Sequence, residues 1–269
     1  MDFGVSASRI FPSSYEGLML VLKRLRGPKG CPWDKEQTHE SLKESLLEEC
    51  YELVEAIEEG DTRKMAEELG DVILNAAFHA NIGEEQGEFT SDQVFAGLID
   101  KLVRRHPHVF SGVKVSGSAE VVANWDAIKQ REAGDEDASA LGGVPSAMPA
   151  LSYAQTIQRR AARTGFDWED FKGVLDKVSE EVGEIHDAES DEEREQELGD
   201  LLFSVVNACR WMDVDAEAAL RHANSRFHGR FTGMEGLSKE RNLDFWQLSL
   251  RGKEGLWQEV KESEKKGAS

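Results

Sequence analysis

Two acidic motifs, each written twice, carry the chemistry of this chain. Glu48-Glu49-Cys50-Tyr51-Glu52 is followed by Glu68-Leu69-Gly70-Asp71, and Glu180-Glu181-Val182-Gly183-Glu184 by Glu197-Leu198-Gly199-Asp200. Residues at i and i+3 of a helix share a face. Glu49 with Glu52 can therefore meet Glu68 with Asp71 between two antiparallel helices, and Glu181 with Glu184 can meet Glu197 with Asp200. Four carboxylates at one point repel one another unless a cation lies between them. The donors are all oxygen, which suits hard cations such as Mg²⁺, or Mn²⁺ as its substitute, and leaves ligand positions for phosphate oxygens and water. A single E-x-x-E is usually a solvated helix face. Here the carboxylates are interleaved with Leu46, Leu53, Ile57, Leu69, Val72 and Ile73, where charge is costly without compensation, and the pattern recurs.

Cationic side chains follow each acidic pair. Arg226 and Arg230 share a helix face, and guanidinium groups suit phosphate oxyanions. Lys101, Arg104 and Arg105 are the first-half counterpart, although cations at a helix C-terminus also complement its dipole. Other features carry less. His79 reads as a core histidine, and no base neighbours Cys50 to make it a nucleophile. Gly27-Pro28-Lys29-Gly30 lacks the G-K-[ST] of a P-loop, and Trp257 is either core or a platform for a base.

Helices must position these groups. The apolar spacing of Leu42, Leu46, Leu53 and Ile57, and of Met65 through Ala80, predicts two helices separated by Gly60 and capped by Asp61. Further helices are expected over Asp92–Arg105, stopped by Pro107, and over Ser118–Ala133, with Ser118 as N-cap and Gly134 beyond its end. Gly134–Pro149 reads as a linker, rich in Gly and Pro. Helical patterning resumes over Ala150–Thr164, with Gly165 ending it, then Asp170–Ala188, Glu192–Trp211 and Asp215–Met234. The last helix fits Phe245–Lys265, weakened at Gly252 and Gly255. The glycines Gly70 and Gly199 suggest close helix approach. Alternating strand patterns are scarce. The fold class is therefore all-α, with two duplicated helical domains at 10–133 and 150–269 joined by a linker at 134–149.

With 269 residues and a formal net charge of −20, the chain is unsuited to wrapping a nucleic-acid polymer. No apolar run approaches the roughly 20 residues of a membrane span. The N-terminus lacks signal-peptide regions, and three scattered cysteines fit reduced thiols in the cytoplasm.

Gly30-Cys31-Pro32-Trp33-Asp34-Lys35-Glu36-Gln37-Thr38, Arg104-Arg105-His106-Pro107-His108-Val109-Phe110 and Gly165-Phe166-Asp167-Trp168, together with both acidic motifs, resemble the MazG family of nucleoside triphosphate pyrophosphohydrolases over nearly the whole chain. That resemblance implies two tandem MazG-like helical-bundle domains in a homodimer that cleaves nucleoside triphosphates to monophosphate and pyrophosphate. It implies that catalysis resides in the C-terminal copy, with Glu181, Glu184, Glu197 and Asp200 as magnesium ligands. Lys177, Glu180, Arg226, Arg230 and Trp257 are then nucleotide contacts. The family often has lysine where Arg226 stands, so charge is kept there.

The expected reaction is metal-assisted hydrolysis. Glu180 or Glu181 orients or deprotonates the attacking water, and Arg226 and Arg230 stabilise charge on the leaving pyrophosphate. The first copy keeps Glu49, Glu52, Glu68 and Asp71, which suits turnover or a metal-stabilised structural or regulatory role equally. The alternatives are a non-catalytic nucleotide-binding regulator and a narrow relative such as a dUTP or phosphoribosyl-ATP hydrolase. A di-iron bundle would need E-x-x-H on two helices, which neither copy has.

Overall fold

A computed structural model describes residues 11–132 and 139–267, and the chain divides into two compact units, Met1–Glu132 and Ala133–Ser269. No strand occurs among the described residues, so the chain is all-α. None of its helices there is long and apolar enough to cross a membrane.

The first unit holds α1 (Tyr15–Arg26), α2 (Pro32–Glu36), α3 (Lys43–Glu59), α4 (Thr62–Gln86), α5 (Ser91–Arg105), α6 (Pro107–Phe110) and α7 (Ser118–Glu132). Helices α3 and α4 are the expected pair. Gly60 ends α3 at φ 69°, where a left-handed residue is required, and the Asp61 carboxylate accepts the N–H groups of Arg63 and Lys64 to start α4. The packing partner for this pair is α1, which sequence patterning left unassigned. Its Met19 and Leu22 join Leu42, Ala77, Phe78, Ala80 and Ile82 in one buried cluster. Arg26 closes the end of α1. Its guanidinium binds Glu85 and the backbone carbonyls of Asp34 and Gln37, tying α2 and its C-cap to α4. Helix α7 starts on Ser118 itself, because the Gly117 carbonyl takes the Val121 N–H, so Ser118 is not the cap. The Gly134 cap lies outside the described residues.

The second unit repeats the plan with α8 (Ala150–Arg163), α9 (Phe171–Asp187), α10 (Asp191–Trp211) and α11 (Ala216–Glu240), then a 3₁₀ turn at Phe245–Gln247 and α12 (Leu250–Gly267). Asp170 caps α9, and Ser190 with Glu193 forms a reciprocal capping box on α10. Gly165, at φ 87°, follows the end of α8 and lets the Phe166 N–H reach the Ala161 carbonyl. Two expectations change here. Helix α11 runs on to Glu240 because Gly233 brings Val260 of α12 against its backbone. A Cβ built at Gly233 would stand 3.1 Å from Val260 Cγ1. The last helix begins at Leu250 rather than Phe245, and Gly252 and Gly255 do not interrupt it. Part of the expected linker also packs on this unit, since Arg160 donates to the Gly142 carbonyl.

Candidate functional site

In each unit an antiparallel helix pair brings three carboxylates together. Oxygens of Glu49, Glu68 and Asp71 lie within 4.8 Å of one another, and so do those of Glu181, Glu197 and Asp200. Glu68 and Glu181 are buried, only 7% and 3% exposed. The fourth member of each set stands next to the three. Glu52 stands within hydrogen-bonding reach of Glu68, and Glu184 of Glu181, and these contacts add to the upward push on Glu68 and Glu184. Loss of hydration, then the charges of Asp71, Glu52 and Glu48, push the Glu49 carboxyl above its usual range. Loss of hydration, then Glu52, does the same to Glu68. Glu184 is raised mainly by loss of hydration, against the opposing pull of Lys177. Oxygen-only donors, burial and mutual repulsion together fit a hard divalent cation at both places.

The glycines of the two motifs have a different reason than expected. A Cβ built at Gly70 or Gly199 meets no atom within 4 Å, so neither marks a close approach by another described helix.

The two sets differ in one cation. Lys177 Nζ lies 2.8 Å from Glu180, 2.8 Å from Glu181 and 3.8 Å from Glu184. Hydrogen bonds to Glu180 and Glu181 hold this ammonium charged well above the usual lysine range. At the matching place before Glu49 the first unit has Ser45, which accepts from Asn75 Nδ2.

Beside the second set opens a cavity of about 750 Å³. Lys177, Glu181 and Asp200 stand on its wall, and Phe166, Trp168 and Phe203 give it an apolar lining. Gln158, Asn207, Arg210 and Asp167 supply polar groups. Aligning Glu197-Leu198-Gly199-Asp200 on Glu68-Leu69-Gly70-Asp71 sets Ser204, Asn207 and Arg210 beside Asn75, Phe78 and Asn81. These three first-unit residues are all buried, Phe78 within the apolar cluster that also takes in Leu22 and Ile82.

The cationic residues have other partners within the chain. Arg104 and Arg105 both bind Glu132 of α7, at 2.6 and 2.5 Å, which explains them as ties between α5 and α7. Arg230 pairs with Glu264 at 3.0 Å and lies 5.6 Å over the ring of Trp257. Trp257 packs against the cluster of Met234, Phe245, Leu256 and Val260. Arg226 is exposed and has no partner among the described residues. Arg226, Arg230 and Trp257 are not among the residues that line the cavity, whereas Lys177 is, with Glu180 2.8 Å from its ammonium. His79 is half-buried and paired with His39, Nδ1 to Nδ1 at 2.7 Å.

Sequence reasoning did not single out Gln158, Asn207 or Arg210. The available signal was polar residues inside otherwise apolar stretches: Asn207 and Arg210 share a face after Leu201-Leu202-Phe203, and Gln155 and Gln158 are buried on α8.

The family model described as the MazG nucleotide pyrophosphohydrolase domain matches residues 37–110, and that described as phosphoribosyl-ATP pyrophosphohydrolase matches residues 150–227. The chain is 44% identical over 247 residues to the nucleoside triphosphate pyrophosphohydrolase/pyrophosphatase MazG of Thermotoga maritima, covering 92% of this chain and 95% of that protein. It is 41% identical over 254 residues to the nucleoside triphosphate pyrophosphohydrolase of Escherichia coli K12, covering 92% and 97%. It is also 47% identical over 250 residues to the uncharacterized protein YabN of Bacillus subtilis, covering 91% of this chain and 51% of the longer relative.

Proposed function

The chain belongs to the MazG family, and from that membership we propose that it hydrolyses ribo- and deoxyribonucleoside triphosphates to the monophosphate and pyrophosphate, with the second unit as the catalytic one. The observation that carries the assignment is the open cavity that runs from Lys177, Glu181 and Asp200 to Phe166 and Trp168. It has room for a nucleoside beside an acidic, phosphate-facing end. The corresponding residues Asn75, Phe78 and Asn81 of the first unit are buried. We assign that unit a metal-stabilised structural or regulatory role.

Glu181, Glu184, Glu197 and Asp200 would hold Mg²⁺, or Mn²⁺ in its place, and Glu49, Glu52, Glu68 and Asp71 would hold it in the first unit. Bound there, the cation would neutralise the triphosphate and polarise its phosphoryl oxygens. The chain's own groups do the rest. Lys177, released from Glu180 and Glu181, turns its ammonium toward phosphate oxygens. Glu180 or Glu181, freed of that lysine, accepts the proton of the attacking water as its oxygen bonds phosphorus and the P–O bond to pyrophosphate breaks. Arg226 is available for the leaving pyrophosphate. Arg230 joins it by exchanging Glu264 for phosphate, with Trp257 beneath the guanidinium.

Apolar side chains left exposed on the two pairs, Leu69 and Ile73 on α4 and Leu198, Leu202 and Val205 on α10, support a homodimer. Three free thiols support a cytoplasmic setting. The match of residues 150–227 to the phosphoribosyl-ATP model favours a second, narrower reading. Products of a panel of triphosphates, with phosphoribosyl-ATP included, separate the two. Pyrophosphate from many triphosphates with Mg²⁺ supports the broad activity. Pyrophosphate from phosphoribosyl-ATP alone supports the narrow one, and none from any compound removes both.

A further inference from the structure

The polar wall of the second-unit cavity is built as a relay. The Asp167 carboxylate accepts from Arg210 Nη1 at 2.9 Å and Nη2 at 2.5 Å, from Trp211 Nε1 at 3.1 Å and from the Trp168 N–H at 2.9 Å. The Arg210 hydrogen bonds, first among these causes, hold Asp167 below the usual carboxylate range. Arg210, fixed in this way, donates from Nε at 3.0 Å and Nη2 at 2.7 Å to Asn207 Oδ1. A guanidinium has only donors, so the carboxamide cannot flip: oxygen faces Arg210 and Nδ2 faces away. Among the described residues Nδ2 has no partner. All three side chains line the cavity.

A second amide stands on the same wall. Gln158 is only 7% exposed, and its Nε2 donates to the Phe203 carbonyl at 2.8 Å. That bond fixes the other atom, Oε1, as an acceptor, and it has no partner. Gln158 Oε1 is buried without a partner, which is costly, while the half-buried Asn207 stands on the cavity wall with Nδ2 free among the described residues, so a ligand that offers a donor to the one and an acceptor to the other is favoured there.

We propose that Asn207 is a specificity-determining residue that donates from Nδ2 to a carbonyl oxygen of the nucleobase, with Arg210 and Asp167 as its positioning residues. The inference rests on reading the cavity as the nucleoside end of the substrate site. A locked amide N–H₂ pairs with a carbonyl but meets an exocyclic amino group donor to donor, in apolar surroundings where neither can turn to water. The lactam edge of uracil or hypoxanthine carries that carbonyl with a ring N–H beside it, and the N–H is the donor that Gln158 Oε1 lacks. Cytosine and adenine present the reverse pattern on that edge. The cavity therefore prefers lactam bases over their amino counterparts.

The test uses nucleosides, which have no phosphate and need neither metal nor turnover. Uridine, cytidine, inosine and adenosine are titrated into the full chain and its variants, with affinity read from NMR chemical shifts. Wild type is expected to bind uridine over cytidine, and inosine over adenosine, by about tenfold or more. Asn207→Asp keeps an oxygen toward Arg210 and replaces the donor by a charged acceptor that repels the lactam carbonyl, so the wild-type order is lost. Asn207→Ala narrows the preference to the part that Gln158 Oε1 contributes, and serves if the added carboxylate prevents folding. Arg210→Lys, which cannot fork between Asp167 and Asn207, frees the amide to flip and brings the ratios toward one. Equal affinities in wild type, no saturable binding, or a wild-type order retained by Asn207→Asp each overturn the proposal. Failure of the chain to release pyrophosphate from triphosphates would remove the proposed reaction and leave this preference to stand or fall by itself.

Discussion

Replacing Lys177 by methionine removes the cation that, among the described residues, pairs with the second carboxylate set. The contact that matters most is with Glu181, at 2.8 Å, because the Glu181 side chain is 4% exposed while that of Glu180 is 57% exposed. Breaking a charge-assisted hydrogen bond to a buried carboxylate costs about 2 kcal/mol. The exposed Glu180 bond and the 3.8 Å approach to Glu184 add little, since solvent screens them. For a unit of this size about 2 kcal/mol lowers the melting temperature by about 6 °C. The assay is calorimetry of wild type and Lys177→Met, first in chelator and then with Mg²⁺. In chelator the transition of the second unit should fall by that amount while the first unit, with Ser45 at the matching place, is unmoved. Mg²⁺ at a hundredfold excess over Kd adds about 2.7 kcal/mol to whatever binds it. It should favour the variant, where no lysine competes, and narrow the gap. A variant that melts with wild type in chelator, or a gap that Mg²⁺ leaves unchanged, refutes the reasoning.

The Glu84 carboxyl is held down at about 2, first by Lys23, then by the N–H and hydroxyl of Ser91. A depressed folded-state value means that the stabilisation is full above the unfolded value of 4.5 and is lost as pH falls from there toward 2. Denaturant midpoints of wild type should drop across that window more steeply than those of Glu84→Gln; parallel profiles would contradict this. Leu22→Ala empties a fully buried position in the first unit and should cost about 3 kcal/mol in its chemical unfolding, with pyrophosphate release by the second unit retained. Gly30→Ala places a Cβ 1.8 Å from the Leu25 carbonyl oxygen, so the loop from α1 to α2 must shift; the variant's proteolysis at that loop should rise measurably over wild type.

Much of this was legible because the repeated acidic motifs fall on strongly periodic helices whose ends are marked by Gly60, Asp61 and Gly165. Local chemistry fixes such features. Helix α1 escaped notice because its stripe of Met19 and Leu22 has meaning only against Phe78 and Ile82, far along the chain. The end of α11 was placed too early for a related reason. The expected end at Met234 lies beside Gly233, where Val260 packs against the helix, which runs on to Glu240.

The site was legible in part for the same physical cause. Carboxylates at i and i+3 announce themselves, whereas Asn207 acquires its role only through Arg210 and Asp167, which lies on a different segment. The difference between the two units was also hidden. Both keep the carboxylates, and beyond Lys177 in place of Ser45 it is the burial of Phe78 and Asn81 against the placement of Asn207 and Arg210 on a cavity wall that distinguishes them.

The central claim is that the second unit performs the hydrolysis. Its most direct test is Mg²⁺-dependent pyrophosphate release from nucleoside triphosphates by wild type, Asp71→Ala and Asp200→Ala, each checked for folding by circular dichroism. Asp200→Ala should abolish release while Asp71→Ala retains it. Release that survives in Asp200→Ala and disappears in Asp71→Ala would contradict it.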